Sequence, residues 1–313
     1  MNKLRVAVVL GGFSSERGIS LRSGAAAAAA LEQAGYPVTL LDFQTPDELR
    51  NKLRTVSPDC VFNALHGHFG EDGGLQRLLD ELSIPYTGSP AAACALSMDK
   101  HEARAVFQAA GLRVPAARVI RRREWARQII ALTLPAVVKP ARQGSSIGMS
   151  IVEDMLSLAN AVDYALTFDD TVLIEEYIHG REVTVGILDE MPLPVVEVVP
   201  KNKYYDYQAK YTPGMTEYRV PADVPAPHYA AVQAAALTAH RALGCAGFSR
   251  VDFILPSAAA PVILELNAIP GMTATSLLPK AAAAAGISFA QLCECMILAG
   301  MRAAGSLAAG RAV

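Results

Sequence analysis

The chain reads as an α/β protein that opens on a doubly wound βα unit and closes on a pair of antiparallel strands. Three stretches carry that reading. Val6-Ala-Val-Val-Leu10 runs straight into Gly11-Gly12 and then an Ala-rich helix from Ser20 to Ala34, which is the strand–glycine turn–helix opening of such a unit. Val38–Asp42 and Cys60–Leu65 supply two further apolar strands. Late in the chain, two β-rich runs, Arg250–Leu255 and Val262–Asn267, flank a Pro/Ser/Ala connection from Pro256 to Pro261, a hairpin signal.

Length and composition set the outer limits. At 313 residues, with 52% hydrophobic residues, the chain exceeds one comfortable core, so two or three domains are expected. A net charge of −2 gives no global field to recruit nucleic acid or anionic lipid. The basic triplet Arg121-Arg122-Arg123 is short and reads as a solvated face or a helix entry. Five cysteines, an odd number without a CxxC pair or zinc spacing, read as buried or incidental thiols in a reducing compartment. The apolar run near the N-terminus is too short for a signal-peptide core and no run of 18 apolar residues follows, so a soluble, cytoplasmic protein is expected.

In open α/β sheets ligands gather at the carboxyl ends of strands. Glu16 and His66 both fall just past such ends, and His66 opens a polar, glycine-rich loop that leads to a helix over Leu75–Leu82. Neither Gly-x-Gly-x-x-Gly nor a Walker-type phosphate loop occurs, so neither a dinucleotide fold nor a P-loop is supported. Pro85–Ser89 is a turn-rich break, and Ser97-Met-Asp-Lys100 opens a new helix that stops at Gly111. The first domain boundary is placed there.

Next comes a strand ending at Lys139-Pro140, a loop Ala141–Gly148 rich in Gly and Ser, and a strand from Met149 to Glu153. Such a loop offers bare backbone N–H groups and hydroxyls that can fold over phosphate oxygens, and Lys139 adds a point charge. The same loop contains Gly144-Ser-Ser146-Ile-Gly148, which matches the nucleophile elbow of serine hydrolases. That motif requires a helix right after the serine, whereas extended, β-branched residues follow here. Val172–Ile178 is a strand that resumes as Glu182–Leu188 after His179-Gly180-Arg181, with Gly180 as a pivot between domains. Glu175 and Glu182, beside a phosphate loop, are placed to hydrogen-bond a base and a ribose.

Tyr204-Tyr-Asp-Tyr207-Gln-Ala-Lys210-Tyr211 mixes aromatic and polar residues without a clean period and reads as a lid that brings Lys210 and Tyr211 to a site. A helix over Tyr229–Leu243 leads to the late strand pair, and helices near Ala281–Ala285 and Ala290–Ala304 end the chain. Along Val262–Asn267 side chains alternate, so Glu265 and Asn267 share a face while Leu264 and Leu266 point to the core. Pairing brings Asp252 opposite them. Two carboxylates and an amide oxygen form a hard-donor set that suits Mg²⁺ completed by water and phosphate oxygens.

Taken together, these motifs resemble the D-alanine–D-alanine ligases of the ATP-grasp superfamily. The resemblance rests on Gly11-Gly12-Phe-Ser-Ser-Glu16, Leu65-His66-Gly, Gly70-Glu-Asp-Gly73, Tyr86-Thr-Gly88-Ser, Ser97-Met-Asp-Lys100 and Val138-Lys139-Pro140. It continues through Gly144-Ser145-Ser-Ile-Gly-Met, Tyr205–Tyr211, Arg250-Val-Asp252 and Glu265-Leu-Asn267-Ala-Ile-Pro-Gly271-Met. It departs from the common pattern at Gln143, at Gly18-Ile19 and at Ala268-Ile269, none of which removes a ligand.

The resemblance implies a three-domain ATP-grasp architecture, divided as 1–97 (N-terminal α/β domain), 98–180 (central, phosphate loop 142–149) and 181–313 (C-terminal, lid 202–216). It implies ATP as substrate, two Mg²⁺ (or Mn²⁺) and a homodimer. The implied reaction phosphorylates one D-alanine carboxylate and lets the amine of a second attack it, for peptidoglycan synthesis. Glu16, held by Ser145 and Tyr211, would bind the first ammonium, with His66 near its carboxylate. Lys100, Lys139 and Lys210 would meet ATP phosphates, and Glu175, Glu176, Ile178 and Glu182 the adenosine. Asp252, Glu265 and Asn267 would hold metal, Arg250 and the Gly271 amide the tetrahedral intermediate, and Ser276 and Leu277 the second carboxylate. Members that make D-alanyl-D-lactate typically carry Phe or His at the lid tyrosine, so Tyr211 argues for the dipeptide. An ATP-binding sensor without chemistry is disfavoured because binding alone does not need Arg250.

Overall fold

The computed structural model describes residues 3–125, 132–201, 214–257, 259–273 and 276–310. The expected lid residues Lys210 and Tyr211 lie outside the described residues. The first sheet comprises β1 (Val6–Val9), α1 (Arg17–Gln33), β2 (Val38–Leu41), α2 (Pro46–Val56) and β3 (Cys60–Asn63), a βαβαβ unit. Its strands are parallel, in the order β2-β1-β3. Val6 and Val8 enter one core cluster and Ala7 and Val9 another, so β1 is buried on both faces and reads as an unbroken apolar run. Because β1 has a neighbour on each side, the connections leave it in opposite directions, which opens a crevice between the carboxyl ends of β1 and β3. The loops carrying Glu16 and His66 emerge there.

The sequence reading assigns no helix over α2, although Thr45-Pro46-Asp47-Glu48 is a strong start signal. Thr45 Oγ1 accepts from Glu48 N at 3.2 Å, Pro46 occupies the first turn, and Asp47 and Glu48 complement the helix N-terminus. Thr45→Ala is expected to lower unfolding free energy by about 1 kcal/mol in urea titration, with activity retained.

α3 (Gly74–Leu82), α4 (Ala91–Met98) and α5 (Lys100–Ala109) follow. The expected helix opens at Lys100 as α5, capped within the Ser97–Lys100 signal by Asp99, which accepts from His101 N and Glu102 N at 3.0 and 3.2 Å; Ser97 itself lies in α4, a short Ala-rich segment without a readable period. α5 buries Ala103 and Phe107 in the core that runs from the first sheet to the third.

β4 (Ala117–Arg121), β5 (Ala136–Pro140), β6 (Ser150–Val152), α6 (Met155–Leu166) and β7 (Thr171–Glu176) form a second unit. Its antiparallel sheet, ordered β4-β7-β5-β6, packs under α6 with its own core of Val138, Val152, Leu158, Val162, Val172 and Ile174. The arginine triplet is exposed at the end of β4.

The third sheet is built from β8 (Arg181–Leu188), β9 (Met191–Pro192), β10 (Val196–Pro200), β11 (Thr216–Arg219), β12 (Phe248–Leu255) and β13 (Val262–Asn267), with α7 (Ala226–Ala242) before β12. Its order is β11-β10-β8-β12-β13, with β9 paired to β8. α8 (Leu277–Ala284) and α9 (Phe289–Gly310) close the chain; α8 starts four residues before the expected Ala281 because Ser276 is its cap residue. The chain crosses between the second and third sheets at Tyr177–Gly180. A Cβ at Gly180 would lie 2.6 Å from the Leu255 carbonyl oxygen, so only glycine permits this approach.

Leu264 does not point into the core as alternation requires. Asp252 pairs with Glu265 but Phe253 pairs with Ile263, so Leu264 is an extra residue in β13, and this bulge turns Leu264 and Glu265 together toward the cleft. Leu266 is buried as expected.

All five cysteines are free, four of them buried. Burial pushes Cys60 and Cys293 up to about 12 and Cys245 up to about 11, so these thiols stay protonated and unreactive. Among the described residues no single helix is long and apolar enough to cross a membrane.

Candidate active site

A cleft of about 480 Å³ opens between the second and third sheets. Val137 and Lys139 of β5, Glu175 and Glu176 of β7, Ile178 and Glu182 line it, with Ser146, Ile147 and Met149 above and Asp252, Leu264 and Glu265 below. Every expected adenosine residue therefore faces one cavity with apolar walls and a polar end.

At the polar end the hairpin brings Asp252 directly opposite Glu265, and Arg250 opposite Asn267. Arg250 Nε and Nη2 donate to the two Asp252 oxygens at 2.9 and 2.8 Å. Thr184 Oγ1 donates to Asp252 Oδ1 at 2.6 Å, and Asn267 Nδ2 to Oδ2 at 3.1 Å. Lys100 Nζ lies 3.3 Å from Glu265 Oε2 and donates to the Gln143 carbonyl at 2.6 Å. Among the described residues no three His, Cys, Asp or Glu side chains cluster, so the donor set is two carboxylates and one amide. These hard oxygen ligands, with room for phosphate oxygens in the adjoining cleft, fit Mg²⁺.

The Gly/Ser loop is held from its base. Asp169 accepts from Arg142 N, Nε and Nη2 at 2.8, 3.1 and 2.6 Å and from Thr171 N at 3.0 Å. Burial alone would raise this carboxyl, but the hydrogen bonds from Arg142 and Thr171 outweigh it and hold Asp169 below the usual carboxylate range. Ser145 and Ser146 adopt positive φ of 52° and 59°. Gly148 is at φ 74°, where a Cβ would come within 2.7 Å of Phe168 and Pro140. β6 rather than a helix follows, so the loop is not a nucleophile elbow.

Over the crevice of the first sheet, Ser145 Oγ donates to Glu16 Oε1, joining residues 129 apart in the chain. Arg17 fixes the Glu16 loop through Asp42, with Nη1 and Nη2 donating to Oδ1 and Oδ2 at 2.7 and 2.6 Å. That hydrogen bond holds the Asp42 carboxyl below its usual range. His66 is buried, with Nδ1 2.9 Å from Glu71 Oε1 and Nε2 3.1 Å from Ser23 Oγ. A carboxylate only accepts, so Nδ1 carries a proton, and Nε2 shares its hydrogen bond with the Ser23 hydroxyl. Ser23 Oγ also accepts from Met272 N at 3.4 Å, which ties the Gly271 loop to His66. A Cβ at Gly271 would lie 2.9 Å from Ser276 Oγ and 3.9 Å from His66 Cε1. Ser276 and Leu277 stand at the N-terminus of α8, where helix amides favour a carboxylate.

Several residues that contact the candidate site escape sequence reasoning. Arg104 lies one helical turn after Lys100, and that i, i+4 spacing was the available signal. Glu71 sits in a quoted motif without a role, and Asp169, Thr184 and Ser23 carry no local signal.

Comparison with known proteins accords with this geometry. Family models described as D-ala D-ala ligase N-terminus and C-terminus match residues 42–89 and 106–298. A D-alanine–D-alanine ligase from Anaeromyxobacter sp. (strain Fw109-5) is 48% identical over 293 residues, 93% of this chain and 94% of the relative. One from Halalkalibacterium halodurans is 46% identical over 301 residues, 94% and 98% of the two chains. The crystal structure of D-alanine–D-alanine ligase from Bacillus anthracis complexed with ATP superposes with TM-score 0.84 at 32% identity, covering 98% and 99%. The D-Ala:D-Ser ligase VanG from Enterococcus faecalis superposes with TM-score 0.80 at 30% identity, covering 96% and 100%. With two carboxylates and an amide beneath a Gly/Ser loop, and with both halves of the chain matched, this protein belongs to the D-alanine–D-alanine ligase family.

Proposed function

We propose that the chain uses ATP to join two D-alanines into D-alanyl-D-alanine, releasing ADP and phosphate, for peptidoglycan precursor synthesis. The observation that carries the proposal is the convergence of Asp252, Glu265 and Asn267 on neighbouring strands, bridged by Lys100 to the Gly/Ser loop. Incubation with ATP, Mg²⁺ and D-alanine, followed by mass detection of the dipeptide, tests it; ADP without dipeptide would refute it.

In the first step a carboxylate oxygen of one D-alanine takes the γ-phosphoryl group. Such transfer needs positioning and charge neutralisation more than covalent help. Lys100 and Lys139 supply charge from the cleft floor, and the loop's N–H groups cover the phosphates. Glu16, oriented by Ser145, binds the substrate ammonium. Asp252, Glu265 and Asn267 would hold Mg²⁺, which when bound withdraws charge from phosphoryl oxygens. In the second step the amine of the other D-alanine, whose carboxylate rests on Ser276 and the α8 N-terminus, attacks the acyl carbon. Arg250 and the Gly271 amide receive the developing oxyanion, and phosphate leaves.

Ser145→Ala is expected to raise KM for the first D-alanine about 10- to 100-fold with KM for ATP little changed, because it removes a hydrogen bond to a charged group. Steady-state kinetics with each substrate varied checks this. The family resemblance also supports Mn²⁺ as a substitute metal, a cytoplasmic location, a homodimer and a division into units 1–97, 98–180 and 181–313; light scattering tests the dimer.

A further inference from the structure

We infer that Arg104 is a positioning residue for the nucleotide: it is the standing counter-ion of Glu175 and so leaves Lys139 available to phosphate. The inference rests on the reading of the cleft as the ATP site. Glu175 is 3% exposed on β7. Its Oε1 accepts from Arg104 Nη1 at 3.1 Å, and its Oε2 lies 2.8 Å from Lys139 Nζ. Arg104 Nη2 donates to the Pro115 carbonyl at 2.5 Å, which fixes the guanidinium plane. Lys139 and Glu175 line the cleft, and Arg104 acts on it through Glu175.

The charge count decides the roles. Two cations share one buried carboxylate, so the Arg104–Glu175–Lys139 trio carries one positive charge in surplus. A buried carboxylate stripped of its partner is strongly unfavourable. Without Arg104, an entering phosphate would have to pull Lys139 from Glu175 and leave that carboxylate alone. With Arg104 in place the exchange leaves Glu175 still paired. The two side chains suit this division. Arg104 offers a rigid fork that grips Glu175 and a backbone carbonyl together, while Lys139 is a point charge on a flexible stem. α5 presents Lys100 and Arg104 one turn apart, so a single helix face supplies both a phosphate contact and the charge that frees another.

The test is a double-mutant cycle on the full chain, reading Mg-ATP affinity by calorimetry and KM for both substrates. Arg104→Met is expected to weaken ATP binding by about tenfold or more, with KM for D-alanine unchanged and Arg104→Lys recovering most of the loss. In a Glu175→Gln background, Arg104→Met should change ATP affinity by no more than about twofold, because the charge it serves is gone. A merely structural role predicts equal losses in both backgrounds, and that result overturns the inference. Unaltered ATP binding in Arg104→Met also overturns it. Should that single variant fail to fold, Arg104→Lys supplies the loss in the wild-type background, and a loss of about tenfold from Arg104→Met within the Glu175→Gln pair overturns the inference. A wild-type chain that binds no ATP would instead refute the nucleotide reading itself.

Discussion

Glu265→Gln is expected to cut dipeptide formation by at least about a hundredfold while the melting temperature stays near that of the wild type, since loss of even an outer-sphere partner of a metal costs 10- to 100-fold. The side chain is half-buried at the cleft floor, directly across from Asp252 and within 3.3 Å of the Lys100 ammonium. Glutamine keeps the volume and one oxygen but removes the charge that both a divalent ion and Lys100 require. Its backbone pairing in β13 is untouched, which is why folding should survive. Mass detection of D-alanyl-D-alanine at saturating ATP, alongside thermal melting, checks both halves. Full turnover in this variant would remove Glu265 from the metal site.

Arg250→Met is expected to lower kcat by about 10²–10³-fold with ATP affinity little changed, the size of effect seen when one donor to a developing oxyanion is deleted. In the structure the guanidinium is occupied by both oxygens of Asp252. Thr184 and Asn267 continue to hold Asp252 after the substitution, so the carboxylate keeps its place. The loss should therefore fall on the second chemical step. Measuring kcat for dipeptide together with the calorimetric Kd for ATP separates this from a binding defect; a large drop in ATP affinity with normal kcat would contradict it.

Local periodicity made some of the site readable. Glu265 and Asn267 share a face because side chains on a strand alternate, and the hairpin signal correctly set Asp252 across from them. Glu16 and His66 were legible as residues just past strand ends, and the β2-β1-β3 order explains why those ends form a crevice. The helix α2 was also legible from Thr45-Pro46-Asp47-Glu48, yet a reading led by apolar runs passes over it, since it fully buries only Leu49 and Leu53. Leu264 was misplaced because a bulge arises from how two strands pair, not from either strand alone.

The sequence by itself determined the types of those elements with a clear apolar pattern or cap, the chemistry of the donor groups and the family, because these depend on residues near one another in the chain. Tertiary structure alone decided which distant groups outside the quoted motifs meet: Asp169 with Arg142, Ser23 with Met272, and Arg104 with Glu175. The physical reason is common to all three. A hydrogen bond or ion pair acts over about 3 Å, so its partner is set by how sheets and helices pack and leaves no period or spacing in the chain to read.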